Sequence, residues 1–205
     1  LGRRIVIHYR GCEIRDLYLN RQLHPSMNIC ETCDYGRYCV SNANIKRIKY
    51  VSKFGDVFVV TTPDLLDFVP NGIHIPFFFP EELEEKNRRK EEQFPERPLR
   101  ILHWTVHPGI EGTETIIESI RALKRKGYNI EFTFLSKVKH CKVLGEILKA
   151  DLTIGKMKMG YYANSQIEAM ACGVPTITWV RPEFMTDTLR KSGFIFSRLT
   201  DLEKT

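Results

Sequence analysis

Short apolar runs alternate with stretches in which apolar residues recur every three or four positions. The first run, Arg4 to His8, holds Ile5, Val6 and Ile7 and closes at Gly11, which predicts a strand. From Leu17 to Cys39 no period is visible and Cys30, Cys33 and Cys39 intervene, which predicts a long loop or insertion. Ile45, Ile48, Val51 and Phe54 suit a helix with Ser41 or Asn42 as its cap. Asp56 to Val60 reads as a buried strand. Thr62-Pro63 opens a further helix, with the proline in the first turn, where its missing N–H costs nothing. Asn71-Gly72 turns the chain into the extended run Ile73 to Pro76.

The second half alternates more cleanly. Arg100 to Trp104 predicts a strand, and Ile116, Ile117, Ile120 and Leu123 share one helical face that ends at Gly127. Ile130 to Leu135 predicts a strand, and Val143, Leu144, Ile147 and Leu148 a helix. Asp151 to Ile154 is a short strand, Ser165 to Cys172 a helix and Pro175 to Val180 a strand. Strands that alternate with helices predict a parallel sheet of four or more strands covered on both faces. Between the halves, residues 81–97 are almost all charged and are bracketed by prolines, so they cannot bury a core and mark a linker. The predicted organisation is an incomplete N-terminal domain over residues 1–80, the linker over 81–97, and a C-terminal domain over 98–205. The fold class is α/β, with two Rossmann-like domains.

Charge changes this picture modestly. The 31 Lys and Arg against 25 Asp and Glu fit anionic ligands such as nucleotide diphosphates or lipid phosphates. No basic motif interleaved with aromatics points to nucleic acid. No run of about 18 apolar residues predicts a membrane span, and no leader of the secretory type is visible before Ile5. Lone Cys141 and Cys172, in helix-like segments, read as buried thiols and favour a reducing compartment. The expected location is the cytoplasm, with peripheral membrane contact compatible with the basic surface.

In an open parallel sheet, ligands bind beyond the carboxyl ends of the strands, near helix N-termini. Two loops answer that description. One runs from His103 to Thr113 and contains Gly109 and Gly112, whose small size lets a backbone approach phosphate. Turn chemistry explains the same glycines equally well. His103 and His107 flank this loop; each is a core or turn histidine, or a phosphate donor when protonated. The other loop runs from Gly160 to Pro175. Here Ser165 and Glu168 have capping-box spacing, so Glu168 either reaches back to the cap N–H or accepts hydrogen bonds from ribose hydroxyls. Tyr161 and Tyr162 either pack or stack on a base or sugar.

The segment Ile167-Glu168-Ala169-Met170-Ala171-Cys172-Gly173-Val174-Pro175 resembles the "EAMACGxP" segment of family 4 glycosyltransferases, which have the GT-B fold. Gly112 to Ile120 is similar to that family's "KG…LI.A" helix and Lys149 to Ile154 to its "aD…v" strand. His8 to Arg15 is similar to an "HxHGsDiR" loop, and Val60 to Leu66 to a "vsTPdLl" segment. The resemblance spans about residues 5 to 185. It implies a glycosyltransferase that moves a sugar from a nucleotide-sugar donor to a sugar, lipid or protein acceptor, in a cleft between two Rossmann-like domains. On that mapping Glu168 holds the ribose, Asn164 and Ser165 face the diphosphate with Gly109, Gly112, Tyr161 and Tyr162 nearby, and His8 and Gly11 face the cleft from the acceptor side. Glu168 and His8 are the expected catalytic residues. No metal or cofactor is required, because backbone dipoles and basic side chains stabilise the leaving diphosphate.

The chain departs from the family pattern in three places. The family pairs two glutamates eight positions apart, and the partner position of Glu168 is Gly160. A lysine usually precedes the glycine at 112, and here it is Glu111, an anion expected to repel phosphate. Roughly 100 residues fewer precede Leu1 than such an N-terminal domain needs, and the closing helices stop short at Thr205, so a fragment is expected. These departures motivate a second reading, a non-catalytic nucleotide-sugar-binding module. An epimerase acting on nucleotide-sugars is a third, since fold does not fix chemistry. Cys30-x-x-Cys33 with Cys39 has partial zinc spacing that Cys12 or His24 could complete. Free thiols or a disulfide account for the same spacing more often.

Overall fold

The computed structural model describes residues 2–25, 27–35, 43–77 and 97–205. The chain divides into two compact units, Leu1–Phe77 and Phe78–Thr205. Cys39, Ser41 and Asn42 lie outside the described residues, as does the predicted linker up to residue 96.

In the first unit, β1 (Val6–Tyr9), β2 (Val57–Val60) and β3 (Ile73–His74) form a parallel sheet in that order. A helix α1 (Leu17–Leu23) stands where a loop was expected. Its signal is a cap rather than a period: the Asp16 carboxylate accepts from the N–H groups of Tyr18 at 2.9 Å and Leu19 at 3.0 Å. Seven residues with only Leu17 and Asn20 buried are too few for a stripe to show. The helix α2 (Ala43–Val51) runs into a 3-10 turn, Ser52–Phe54. Pro63–Asp67 is a 3-10 rather than an α-helix, and Thr62 makes no side-chain cap bond to it. The core gathers Tyr9, Ile14, Val60 and Leu65, with Ile48, Phe58 and Phe68 against them.

The second unit has a five-stranded sheet in which all neighbours are parallel. Its strands are β4 (Leu99–Trp104), β5 (Ile130–Leu135), β6 (Leu152–Ile154), β7 (Thr176–Thr178) and β8 (Phe194–Phe196), in the order β5-β4-β6-β7-β8. The helices between them are the short α3 (Pro108–Glu111), α4 (Thr113–Arg125), α5 (His140–Ile147), α6 (Asn164–Ala171) and α7 (Asp187–Arg190). Alternate residues of a strand point to opposite faces. Leu102 packs with Val143 and Ile147 of α5 and Ala169 of α6, joined by Trp104. Ile101, on the other face, shares an apolar cavity of about 360 Å³ with Ile116 and Ile120 of α4. Helices therefore cover both faces of a Rossmann-like α/β sheet.

Local chemistry sets the element ends. Helix α4 closes in a Schellman motif: Tyr128 N–H donates to Leu123 O at 3.2 Å and Gly127 N–H to Lys124 O at 3.0 Å. Lys126 is the cap, and Gly127 follows it with φ +92°. Asp151 is buried beside β6 and accepts from both terminal guanidinium nitrogens, Nη1 and Nη2, of Arg97, a residue expected in the linker; its Oδ2 also accepts from Arg100 N–H at 2.9 Å. Cys172 is buried as expected, but Cys141 is exposed. On α5 the buried residues are Val143 and Ile147, and Cys141 lies about 200° around the helix from Val143. Among the described residues no helix is long and apolar enough to cross a membrane.

Candidate functional site

Strand order places the site. β4 is the first strand of the second unit; the chain moves outward to β5, then crosses back to β6 on the other side of β4. Connections on the two sides leave in opposite directions, so a crevice opens between the carboxyl ends of β4 and β6. Such a switch point is where open α/β sheets bind ligands. The loop Thr105–Gly112 and the loop Gly155–Ala163 meet there.

Helix α4 begins at Gly112, which has φ +82° and no side-chain cap bond. A Cβ on Gly112 would lie 2.8 Å from Leu199 Cδ2 and 3.3 Å from Lys158 Cγ, so the bare backbone is required by packing as well as by φ. Gly109 lies inside the short α3 and is half-buried. His103 is fully buried at the end of β4. Its Nδ1–H donates to Ile154 O at 2.8 Å, and its Nε2 accepts from the Thr113 hydroxyl at 2.9 Å. Burial pushes the imidazole pKa down, against the weaker opposing pull of Ile154 O and Glu111. A neutral ring with both nitrogens engaged cannot donate to a phosphate, which corrects one of the two roles considered for His103. It ties β4, β6 and the first residue of α4 together. His107 starts α3, and its backbone N–H donates to the Thr105 hydroxyl at 2.9 Å.

Glu111 is buried yet not an isolated anion. Its Oε1 lies 3.3 Å from Lys156 Nζ, and its backbone O accepts from Met157 N–H at 3.4 Å. The expected repulsion of phosphate is therefore offset by a cation from the neighbouring loop. Lys156 itself is held by a buried relay. Ala163 N–H donates to Gln166 Oε1 at 2.7 Å, Gln166 Nε2 donates to Thr178 Oγ1 at 2.6 Å, and Thr178 Oγ1 donates to Lys156 O at 3.4 Å. Gly155 makes room for this, since a Cβ there would lie 2.3 Å from the Gln166 side chain.

The relay shifts the cap of α6. Ala163 is the N-cap, and Gln166, not Glu168, reaches back to the cap N–H. The Ser165–Glu168 box is thus displaced by two residues, because a buried amide bridging to β7 outcompetes a half-exposed carboxylate. Asn164 and Ser165 occupy the first two helical positions, Asn164 exposed and Ser165 half-buried. Glu168 falls in the second turn, where its Oε2 lies 3.1 Å from Nε2 of His140 at the start of α5.

Tyr161 and Tyr162 stack on each other at 4.3 Å between centroids. Tyr161 also meets Phe184 edge-on, and Tyr162 meets Phe194. Tyr161 is buried with Val180 and Leu189, and burial followed by Tyr162 pushes its hydroxyl pKa up. Packing accounts for Tyr161; Tyr162 is the more open of the two. Gly160 carries φ +77°, and a Cβ there would come within 2.4 Å of Arg181 Cγ. Arg181 lies over the Phe184 ring at 4.9 Å and fills the place a glutamate side chain would need.

In the first unit His8 is exposed on β1 opposite Val59. The loop after β1 is shaped by Glu13, whose Oε1 accepts from Arg10 N–H and, at 3.0 Å, from Gly11 N–H. Arg15 anchors it through a buried ion pair with Asp64 and a contact with Cys12 Sγ. Burial alone would lower the Arg15 pKa, but Asp64 and Cys12 outweigh it and the group is held above its ordinary value. Cys30 accepts from Asn20 Nδ2 at 3.4 Å. Cys39 lies outside the described residues, so the expected cysteine cluster is not described; among the described residues no disulfide joins the cysteines and no group of three metal-ligating side chains gathers.

Lys156, Gln166 and Arg181 have no motif signal in the sequence. The hint for Lys156 was its position directly after a glycine that ends a strand, Ile154-Gly155-Lys156. No protein-family model matches the chain, and no curated protein matches it.

Proposed function

We propose that the second unit binds a nucleotide-sugar and that the chain is a glycosyltransferase, or part of one, acting on a sugar, lipid or protein acceptor. The observation that carries this is the switch point between β4 and β6, which brings together the Gly112 start of α4 and the loop leading into the "EAMACG"-like helix α6. The diphosphate lies against these backbone ends, where unpaired N–H groups and the helix field favour anions. Glu168 accepts hydrogen bonds from the ribose hydroxyls, with His140 orienting its carboxylate. His8 and Gly11 belong to the acceptor side in a two-domain GT-B arrangement. The protein's own dipoles and lysines stabilise the leaving diphosphate without a cofactor.

The test is titration calorimetry with nucleoside diphosphates, followed by an assay for diphosphate release from nucleotide-sugars with saccharide and lipid acceptors. Binding of one diphosphate and acceptor-dependent release are expected. Glu168→Gln should weaken binding by roughly 10- to 150-fold, the equivalent of a charged hydrogen bond of about 1.5–3 kcal/mol. Unchanged affinity would return Glu168 to its contact with His140 alone.

The second reading, a non-catalytic nucleotide-sugar-binding module, draws on Gly160. Arg181 occupies the place of the family's other glutamate, so the site holds one carboxylate of the usual pair. Tight binding with no release in the presence of any acceptor would favour it.

A further inference from the structure

We infer that Lys156 is the cation that receives the phosphate at the switch point, and that Glu111 is an internal anion the ligand must displace from it. This rests on the nucleotide-binding reading above and adds to it a charge-swapped site. In the family pattern the lysine precedes the glycine that starts the helix; here that position is Glu111 and the positive charge arrives from the loop after β6.

Three observations converge on Lys156. It sits on the loop after β6, one side of the switch point, while Glu111 and Gly112 sit on the other. Its backbone carbonyl is fixed by Thr178, which Gln166 holds in turn, so the side chain springs from a rigid base. Its side chain is 23% exposed where that of Glu111 is 10% exposed, so the lysine is the more open member of the pair. A diphosphate carries more negative charge than one carboxylate and offers several acceptor oxygens, so it wins the ammonium, whose three N–H groups can bridge during the exchange. The resting pair keeps the crevice close to neutral, so a single negative charge gains little there and a polyanion gains most.

The experiment is calorimetry on the full 205-residue chain and its variants, with adenosine, guanosine, uridine and thymidine diphosphates, each beside its parent nucleoside. For the diphosphate that binds best, Lys156→Gln should weaken affinity at least tenfold and Lys156→Arg should hold it within about threefold. Glu111→Gln should tighten it by about three- to tenfold, since it removes the competing anion. The double variant should match Lys156→Gln, because Glu111 acts only through the lysine. Nucleoside affinity should be unchanged throughout. If wild type binds a diphosphate and Lys156→Gln alters it less than twofold, the inference fails and the nucleotide reading stands. Weaker or unchanged binding by Glu111→Gln also overturns it, and this holds even where Lys156→Gln fails to fold. If wild type binds none of the four diphosphates, the nucleotide reading itself falls.

Discussion

At the scale of single residues, Gly160 and Asp151 show how much depends on a side chain's neighbours. Gly160 combines a left-handed backbone with a Cβ position already taken by Arg181. Gly160→Ala should cost about 1–2 kcal/mol for the backbone and roughly 1–3 kcal/mol for overpacking, read as a lower urea midpoint. Gly160→Glu should be worse still, because the longer side chain meets the same Arg181. Asp151→Ala removes the partner of Arg97 and of the Arg100 amide. A loss of about 2–3 kcal/mol is expected from denaturant unfolding, below that of a fully buried pair because Arg97 stays partly wet. An aspartate before an apolar strand was legible in the sequence; that it clamps the start of β4 was not, because Arg97 and Asp151 are 54 positions apart.

At the scale of elements, helices with a buried stripe were legible, while helix α1 and the cap that starts α6 were not. Helices α4 and α5 bury stripes, and stripes are local information. Helix α1 and the start of α6 depend on one capping side chain each, Asp16 and Gln166. The Ser165–Glu168 spacing satisfied the sequence rule, yet Gln166 took the role because Thr178 of β7 offers its amide a buried partner. Gln166→Ala should therefore cost more than a surface cap. It strips the Ala163 N–H and the Thr178 hydroxyl of buried partners, for a loss of about 2–4 kcal/mol in thermal or urea unfolding. Ser165→Ala should leave stability within about 0.5 kcal/mol, as expected of a position outside the cap.

At the scale of the whole molecule, each unit carries a histidine whose pKa is lowered chiefly by burial: His74 in the first, His103 in the second. The unfolded chain takes up these protons near the ordinary value of 6.5, while the folded chain resists. Stability is thus fully present above about pH 6.5 and falls as the medium is acidified toward the folded-state values, by at most about 1.4 kcal/mol per pH unit for each group. Urea unfolding at about pH 7.5 and about pH 5.5 checks this. His103→Gln should flatten the loss relative to wild type; an unaltered slope would assign the acid sensitivity elsewhere.

The sequence by itself determined that the second unit is a parallel α/β sheet, because strand and helix periods are set by which face each residue must bury. It also marked the loops after β4 and β6, since glycines and helix starts are local features. Only the tertiary structure decided the strand order, and with it the switch point, because the order depends on which edge each crossover returns to. Only the tertiary structure paired Glu111 with Lys156 and set Arg181 against Gly160. Ion pairs and close packing join positions 45 and 21 residues apart in these cases, and no local pattern records which distant side chain will fill a given space.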